Sequence, residues 1–77
     1  MYKKLTDIKI GQEVIIRTFD NEDIFLKLME MGCVPGEKIV INKIAPLKDP
    51  ISVTVAGYSL SLRLDEAVHI LVEEYYP

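Results

Sequence analysis

The chain has 77 residues, nine basic and twelve acidic side chains for a formal net charge of −3, one cysteine, one histidine and no tryptophan. A chain of this length forms one domain that buries roughly 60% of the surface it exposes when unfolded, too little to enclose a large cofactor. One cysteine excludes an intramolecular disulfide and points to a reducing compartment, and one Cys with one His excludes a four-ligand Cys/His zinc site within a protomer. The acidic balance argues against nucleic-acid binding, which draws its affinity from many Lys and Arg; Lys3, Lys4 and Lys9 read as a solvated face. No run approaches the roughly 18 apolar residues of a membrane span, and Asp7 and Lys9 stand where a signal peptide would be apolar. The expectation is a soluble, untargeted, cytoplasmic protein.

Leu5, Ile8 and Ile10 form an irregular lead-in whose apolar residues cap one end of a core. Residues 13–19, rich in β-branched and aromatic side chains, read as the first strand. Asp20-Asn21-Glu22-Asp23 starts a helix, with an Asx cap and acidic side chains complementing the helix dipole; this placement favours capping over a metal cluster. Ile24, Leu28 and Met31, with Phe25 and Met29, recur at helical spacing, so the helix runs from about Asn21 to Met31 and Gly32 ends it. Val34-Pro35-Gly36-Glu37 fits a type II turn. A second strand follows over 38–44, and two prolines make 45–50 a loop.

Ile51, Val53 and Val55 alternate with Ser52 and Thr54 in a third strand, Ala56-Gly57 is a hairpin turn, and Tyr58, Leu60 and Leu62 form the apolar face of a fourth. Leu64 to Ala67 reads as a short helical turn, 69–73 as the fifth strand and 75–77 as a frayed end. Five short strands with one apolar face each bury it best by curling. The expected fold is therefore mainly β, a single-domain five-stranded SH3-like barrel with one inserted helix and a short helical turn before the last strand. An OB-like barrel is the competing architecture.

The stretch 32–38 carries glycines and Lys38 but runs from helix to strand, the reverse of a phosphate-binding loop, and Pro35 removes a donor. Asp65, Glu66 and His69 would share a face if the helical turn reached His69, and Glu-x-x-His spacing serves carboxylate metal sites; because the turn is expected to end before His69, a surface His beside solvated carboxylates is the favoured reading, and the three are candidate ligands only for weak binding of Fe(II) or another divalent metal. Cys33, between Gly32 and Val34, reads as a small apolar plug and not as a nucleophile. No catalytic arrangement follows from spacing, so the chain is expected not to be an enzyme and to hold no cofactor beyond such a metal.

The ordered set Lys27-Leu28-Met29-Glu30-Met31-Gly32-Cys33-Val34-Pro35-Gly36, then Ala45-Pro46-Leu47-Lys48-Asp49-Pro50-Ile51, then Ser61-Leu62-Arg63 with Glu66-Ala67 and Ile70-Leu71-Val72, resembles the small A component of the bacterial ferrous iron transport (Feo) system. The resemblance runs from Leu5 to Val72 and implies an SH3-like fold, similar to the C-terminal domain of iron-dependent repressors. It implies a cytosolic, non-catalytic accessory protein that promotes Fe(II) uptake by a large membrane transporter with a cytosolic GTP-binding domain, docking on it and modulating its GTPase cycle or assembly. Members of that family commonly carry Arg where this chain has Lys27, and an aliphatic residue where it has Cys33.

The candidate docking surface is the loop of Pro46, Leu47, Lys48 and Asp49, stiffened by prolines, with a merely rigid connection as its alternative; Lys27, Leu28 and Met31 from the helix are further candidates, and for Leu28 and Met31 core packing is the favoured reading. The alternative is a metal-sensing domain that binds Fe(II) or Mn(II) through the carboxylates and His69. A repressor's regulatory domain is disfavoured, since no helix-turn-helix pattern accompanies it. A core this small also leaves open a homo-oligomer formed by pairing an exposed strand edge.

Overall fold

Residues 2–75 are described by a computed structural model. In chain order they form β1 (Lys3–Lys4), a 3₁₀ turn (Leu5–Asp7), β2 (Glu13–Phe19), α1 (Glu22–Glu30), β3 (Lys38–Ile44), β4 (Ile51–Val55), β5 (Tyr58–Leu62), α2 (Leu64–Ala67) and β6 (Ile70–Glu74). The strands build one antiparallel sheet in the order β1-β6-β2-β3-β4-β5. Register shifts near Arg17 in the β2–β6 pair and near Asn42 in the β3–β4 pair bend the sheet, because an extra residue on one strand kinks it and increases its twist. The bent sheet wraps alternate side chains inward: Val14 and Ile16, Ile39 and Ile41, Val53 and Val55, and Ile70 and Val72 are all buried.

Helix α1 closes the core with Leu28, and both of its ends are sealed. Asn21 caps it, its Oδ1 accepting from the Asp23 N–H at 2.8 Å. At the other end Gly32 takes φ +102°, the Gly32 N–H reaches Met29 O at 3.1 Å, and the Cys33 N–H reaches Leu28 O at 2.9 Å. These two bonds are the Schellman pattern, and it brings together two buried side chains, Cys33 and Leu28. The type II turn is present as well: Gly36 has φ +98° and the Glu37 N–H donates to Val34 O at 3.1 Å.

Four expectations are corrected. A sixth strand, β1, pairs Lys3 and Lys4 with Val72 and Leu71; two exposed lysines carry no alternation by which a strand is recognised. The last strand begins at Ile70, because the His69 N–H is drawn back to Glu66 O at 3.2 Å to finish the turn of α2. Ile10 lies outside the core on the turn before Gly11, while Leu5 and Ile8 are buried. Tyr58, at the hairpin end of β5, is 72% exposed despite its place on the apolar face. Of the expected frayed end, Tyr76 and Pro77 lie outside the described residues.

Candidate functional site

The 45–50 loop is a closed turn, not a slack connection. The Ala45 N–H donates to Pro50 O at 3.1 Å and the Lys48 N–H to Ala45 O at 2.7 Å, with Lys48 in the left-handed region at φ +67° and a cis peptide bond between Asp49 and Pro50. The loop is also tied down from outside: Asp49 Oδ1 accepts from the Leu64 N–H at 2.9 Å, satisfying a free donor at the start of α2. Pro46, Leu47, Lys48 and Asp49 are all exposed, and Leu47 at the tip is 89% exposed. Beside it a shallow depression is lined by Ile44, Lys48, Ile51 and Leu64.

On its other side α2 meets α1. The Glu66 carboxylate, its side chain only 6% exposed, accepts from the Arg63 N–H at 2.8 Å and pairs with Lys27 Nζ at 2.5 Å. Burial opposes its ionisation, but the Lys27 hydrogen bond, the Arg63 N–H and the charges of Lys27 and Arg63 together outweigh it and hold the carboxyl below its ordinary value. Lys27 is thus committed to an intramolecular pair, with its stem exposed along an open cleft that Asp23, Arg63, Asp65 and His69 also border. Leu28 does not belong to any docking surface: it is 0% exposed, because the helix turns that position straight into the barrel. Met31, the C-cap residue of α1, is half-buried and packs against the core.

The candidate metal ligands Asp65, Glu66 and His69 border the same open cleft but are not placed to coordinate one ion. Glu66 is occupied as described, Asp65 points to an exposed surface position, and His69 turns to Asp20, with Nδ1 at 2.7 Å from Oδ1. Since a carboxylate only accepts, His69 donates from Nδ1. A second bond, Asp20 N–H to His69 O at 3.1 Å, makes this pair a pin between the end of β2 and the end of α2. Among the described residues no three His, Cys, Asp or Glu side chains are placed to hold a metal ion.

Cys33 is fully buried as a free thiol, and burial, helped by the negative charge of Glu66, pushes its pKa up to about 11. The thiolate is the reactive form. Native protein is therefore expected to resist iodoacetamide near pH 8 over a time in which guanidinium-unfolded protein is fully alkylated, as read by mass spectrometry; fast native labelling would show that the site opens.

Three links were invisible to the sequence reading: Asp49 to Leu64, Lys27 to Glu66 and Asp20 to His69. They join residues 15, 39 and 49 positions apart, and no local pattern marks either partner for the other. Together they make the short α2 the joint between the exposed loop and α1.

A bent antiparallel sheet with a covering helix and a stiff exposed loop defines a small SH3-like domain. The chain belongs to the FeoA domain family, whose model matches residues 3–74. It is 34% identical over 71 residues to a Fe(2+) transport protein A/Fe(2+) transporter FeoB fusion protein of Porphyromonas gingivalis, a match that covers 91% of this chain and 8% of that protein. The chain therefore spans a small fraction of that relative's length. The NMR structure of a FeoA-like protein from Clostridium acetobutylicum superposes with a TM-score of 0.88 at 38% identity, covering 99% of this chain and 90% of that one. In fold the chain also matches a zinc-complexed FeoA from Stenotrophomonas maltophilia described as a prokaryotic SH3 domain protein, at a TM-score of 0.74, 24% identity, and coverage of 95% and 89%. No helix among the described residues is long and apolar enough to cross a membrane.

Proposed function

We propose that this chain is a non-catalytic accessory domain of ferrous iron uptake that docks on the cytosolic part of a membrane Fe(II) transporter and modulates its GTPase cycle or assembly. The observation that carries this reading is the fusion, in the Porphyromonas gingivalis relative, of the matching domain to the FeoB transporter in one polypeptide. Covalent linkage holds two modules at high effective concentration, an arrangement that serves partners that must meet. Docking would hold the chain at the inner face of the membrane.

The loop from Pro46 to Asp49 supports the reading physically. Leu47 is apolar, almost fully exposed and carried on a turn closed by its own backbone bonds and by Asp49, so little conformational entropy is lost when it inserts into a partner's pocket. Leu47→Asp is expected to weaken retention of the transporter in co-purification by about tenfold or more and to lower iron uptake in cells, while leaving the thermal midpoint unchanged because the side chain lies outside the core. Retention and uptake equal to wild type would remove the loop from the docking surface, and failure of the wild-type chain itself to retain the transporter would overturn the proposal.

A further inference from the structure

The sheet has two outer strands, β1 and β5, and they are built differently. β1 is two residues long, both lysines, a charged and very short edge of the kind that discourages pairing with another chain. β5 has five residues, Tyr58-Ser59-Leu60-Ser61-Leu62, with no charge, no proline and no register shift against β4. None of the usual guards is present on it.

The register shows which backbone groups this edge offers. Ala56 and Gly57, at φ +51° and +84°, form a two-residue type I′ connection, which makes the flanking pair Val55 and Tyr58 a hydrogen-bonded one. Alternation then turns the N–H and C=O of Tyr58, Leu60 and Leu62 toward β4, and those of Ser59 and Ser61 outward.

We propose that this edge pairs with β5 of a second copy of the chain, antiparallel, about a two-fold axis at Leu60. In that register Ser59 faces Ser61 of the second copy and Ser61 faces its Ser59, so both outward donors and both outward acceptors of each strand are satisfied. Leu60 meets Leu60 of the second copy as a close non-hydrogen-bonded pair, and Tyr58, 72% exposed in the single chain, comes to lie at the edge of the second copy, whose Leu62 at the facing position is 0% exposed and stays in its own core. The strand is self-complementary in two respects: the outward residues lie symmetrically about Leu60, and no like charges meet although each chain carries −3. A five-residue strand is only about 17 Å long, so the contact falls below the area of a permanent interface and gives a weak, concentration-dependent dimer. This surface is the β5 edge and not the Leu47 tip of the loop, although Ser61 and Leu62 share a depression with Asp49 and Pro50, and its sedimentation test does not involve the transporter.

Sedimentation equilibrium of the full chain up to millimolar concentration tests it. Wild type is expected to show a monomer–dimer equilibrium. The double variant Ser59→Lys/Ser61→Lys, which sets lysine opposite lysine twice, is expected to dimerise about tenfold more weakly or worse. The variant Ser59→Lys/Ser61→Glu sets lysine opposite glutamate in both pairs and is expected to recover at least the wild-type association. Both positions are exposed, and unchanged circular dichroism and thermal midpoints confirm that the variants fold. A wild type that stays monomeric, a Lys/Lys variant that dimerises like wild type, or a Lys/Glu variant that is as weak as Lys/Lys overturns the proposal. Amide exchange at Ser59 and Ser61 that slows only on adding the cytosolic part of the transporter overturns it in favour of a foreign strand on this edge.

Discussion

Truncating Leu28 to alanine is expected to lower the unfolding free energy by about 3 kcal/mol, and the same truncation at Leu26, two residues earlier on α1, by less than ~0.5 kcal/mol. The two leucines differ in where the helix turns them: Leu28 is 0% exposed beneath α1 and Leu26 is 69% exposed on its outer side. Removing the Leu28 side chain leaves a void at the point where α1 meets the barrel and where Cys33 seals the helix end through the Leu28 carbonyl. In a domain this small, about 3 kcal/mol is a large share of the total stability, and a fall in thermal midpoint of roughly 15 °C is expected. Paired thermal and urea melts check it. A Leu28→Ala protein that melts like wild type but no longer retains the transporter would return Leu28 to the docking surface.

The second large effect is expected at Glu66. Its carboxylate is buried, accepts from the Arg63 N–H and pairs with Lys27, and Glu66→Ala removes both contacts and leaves the part-buried Arg63 N–H without its acceptor, for a loss of about 2 kcal/mol. Lys27→Ala costs less, about 1 kcal/mol, since the lysine side chain is 61% exposed and water replaces much of what the pair supplies. Lys27→Arg is expected to keep or improve stability, because the planar fork can bind the carboxylate through two donors.

The pH dependence follows from the direction of the shift. The folded-state pKa of Glu66 lies below its ordinary value of 4.5, so the carboxyl contributes stability that is fully present above that value and is lost as the pH falls through the folded-state pKa. Urea titrations of wild type and Glu66→Gln are therefore expected to converge as the solution is acidified below about pH 4.5, the variant having no such charge to protonate. Parallel curves down to pH 2 would show that Lys27 and Arg63 do not hold the charge.

These two residues show what a linear reading reaches. The helical spacing makes α1 amphipathic and favours Leu28 as a core residue, as found, whereas the pairing of Lys27 with α2 depends on how the helix is rolled against the barrel. Glu66 was legible as half of a Glu-x-x-His pattern. The pattern holds no metal set because the His69 ring is claimed by Asp20, 49 positions away, and the Glu66 carboxylate by Lys27.

Taken alone, the sequence determined the elements whose causes are local. Alternation fixed β4, the Asx cap and glycine bounded α1 at Asn21 and Gly32, and the prolines broke the chain at 45–50. Tertiary structure alone decided the rest. Two lysines became β1 because β6 offered them an edge, α2 became a joint because Asp49 and Lys27 reach it from opposite sides, and β5 was left as the long uncharged edge. The physical reason is range: caps, turns and strand periodicity act over a few residues, whereas pairing partners, buried ion pairs and free edges depend on which distant segments the closing barrel brings into contact.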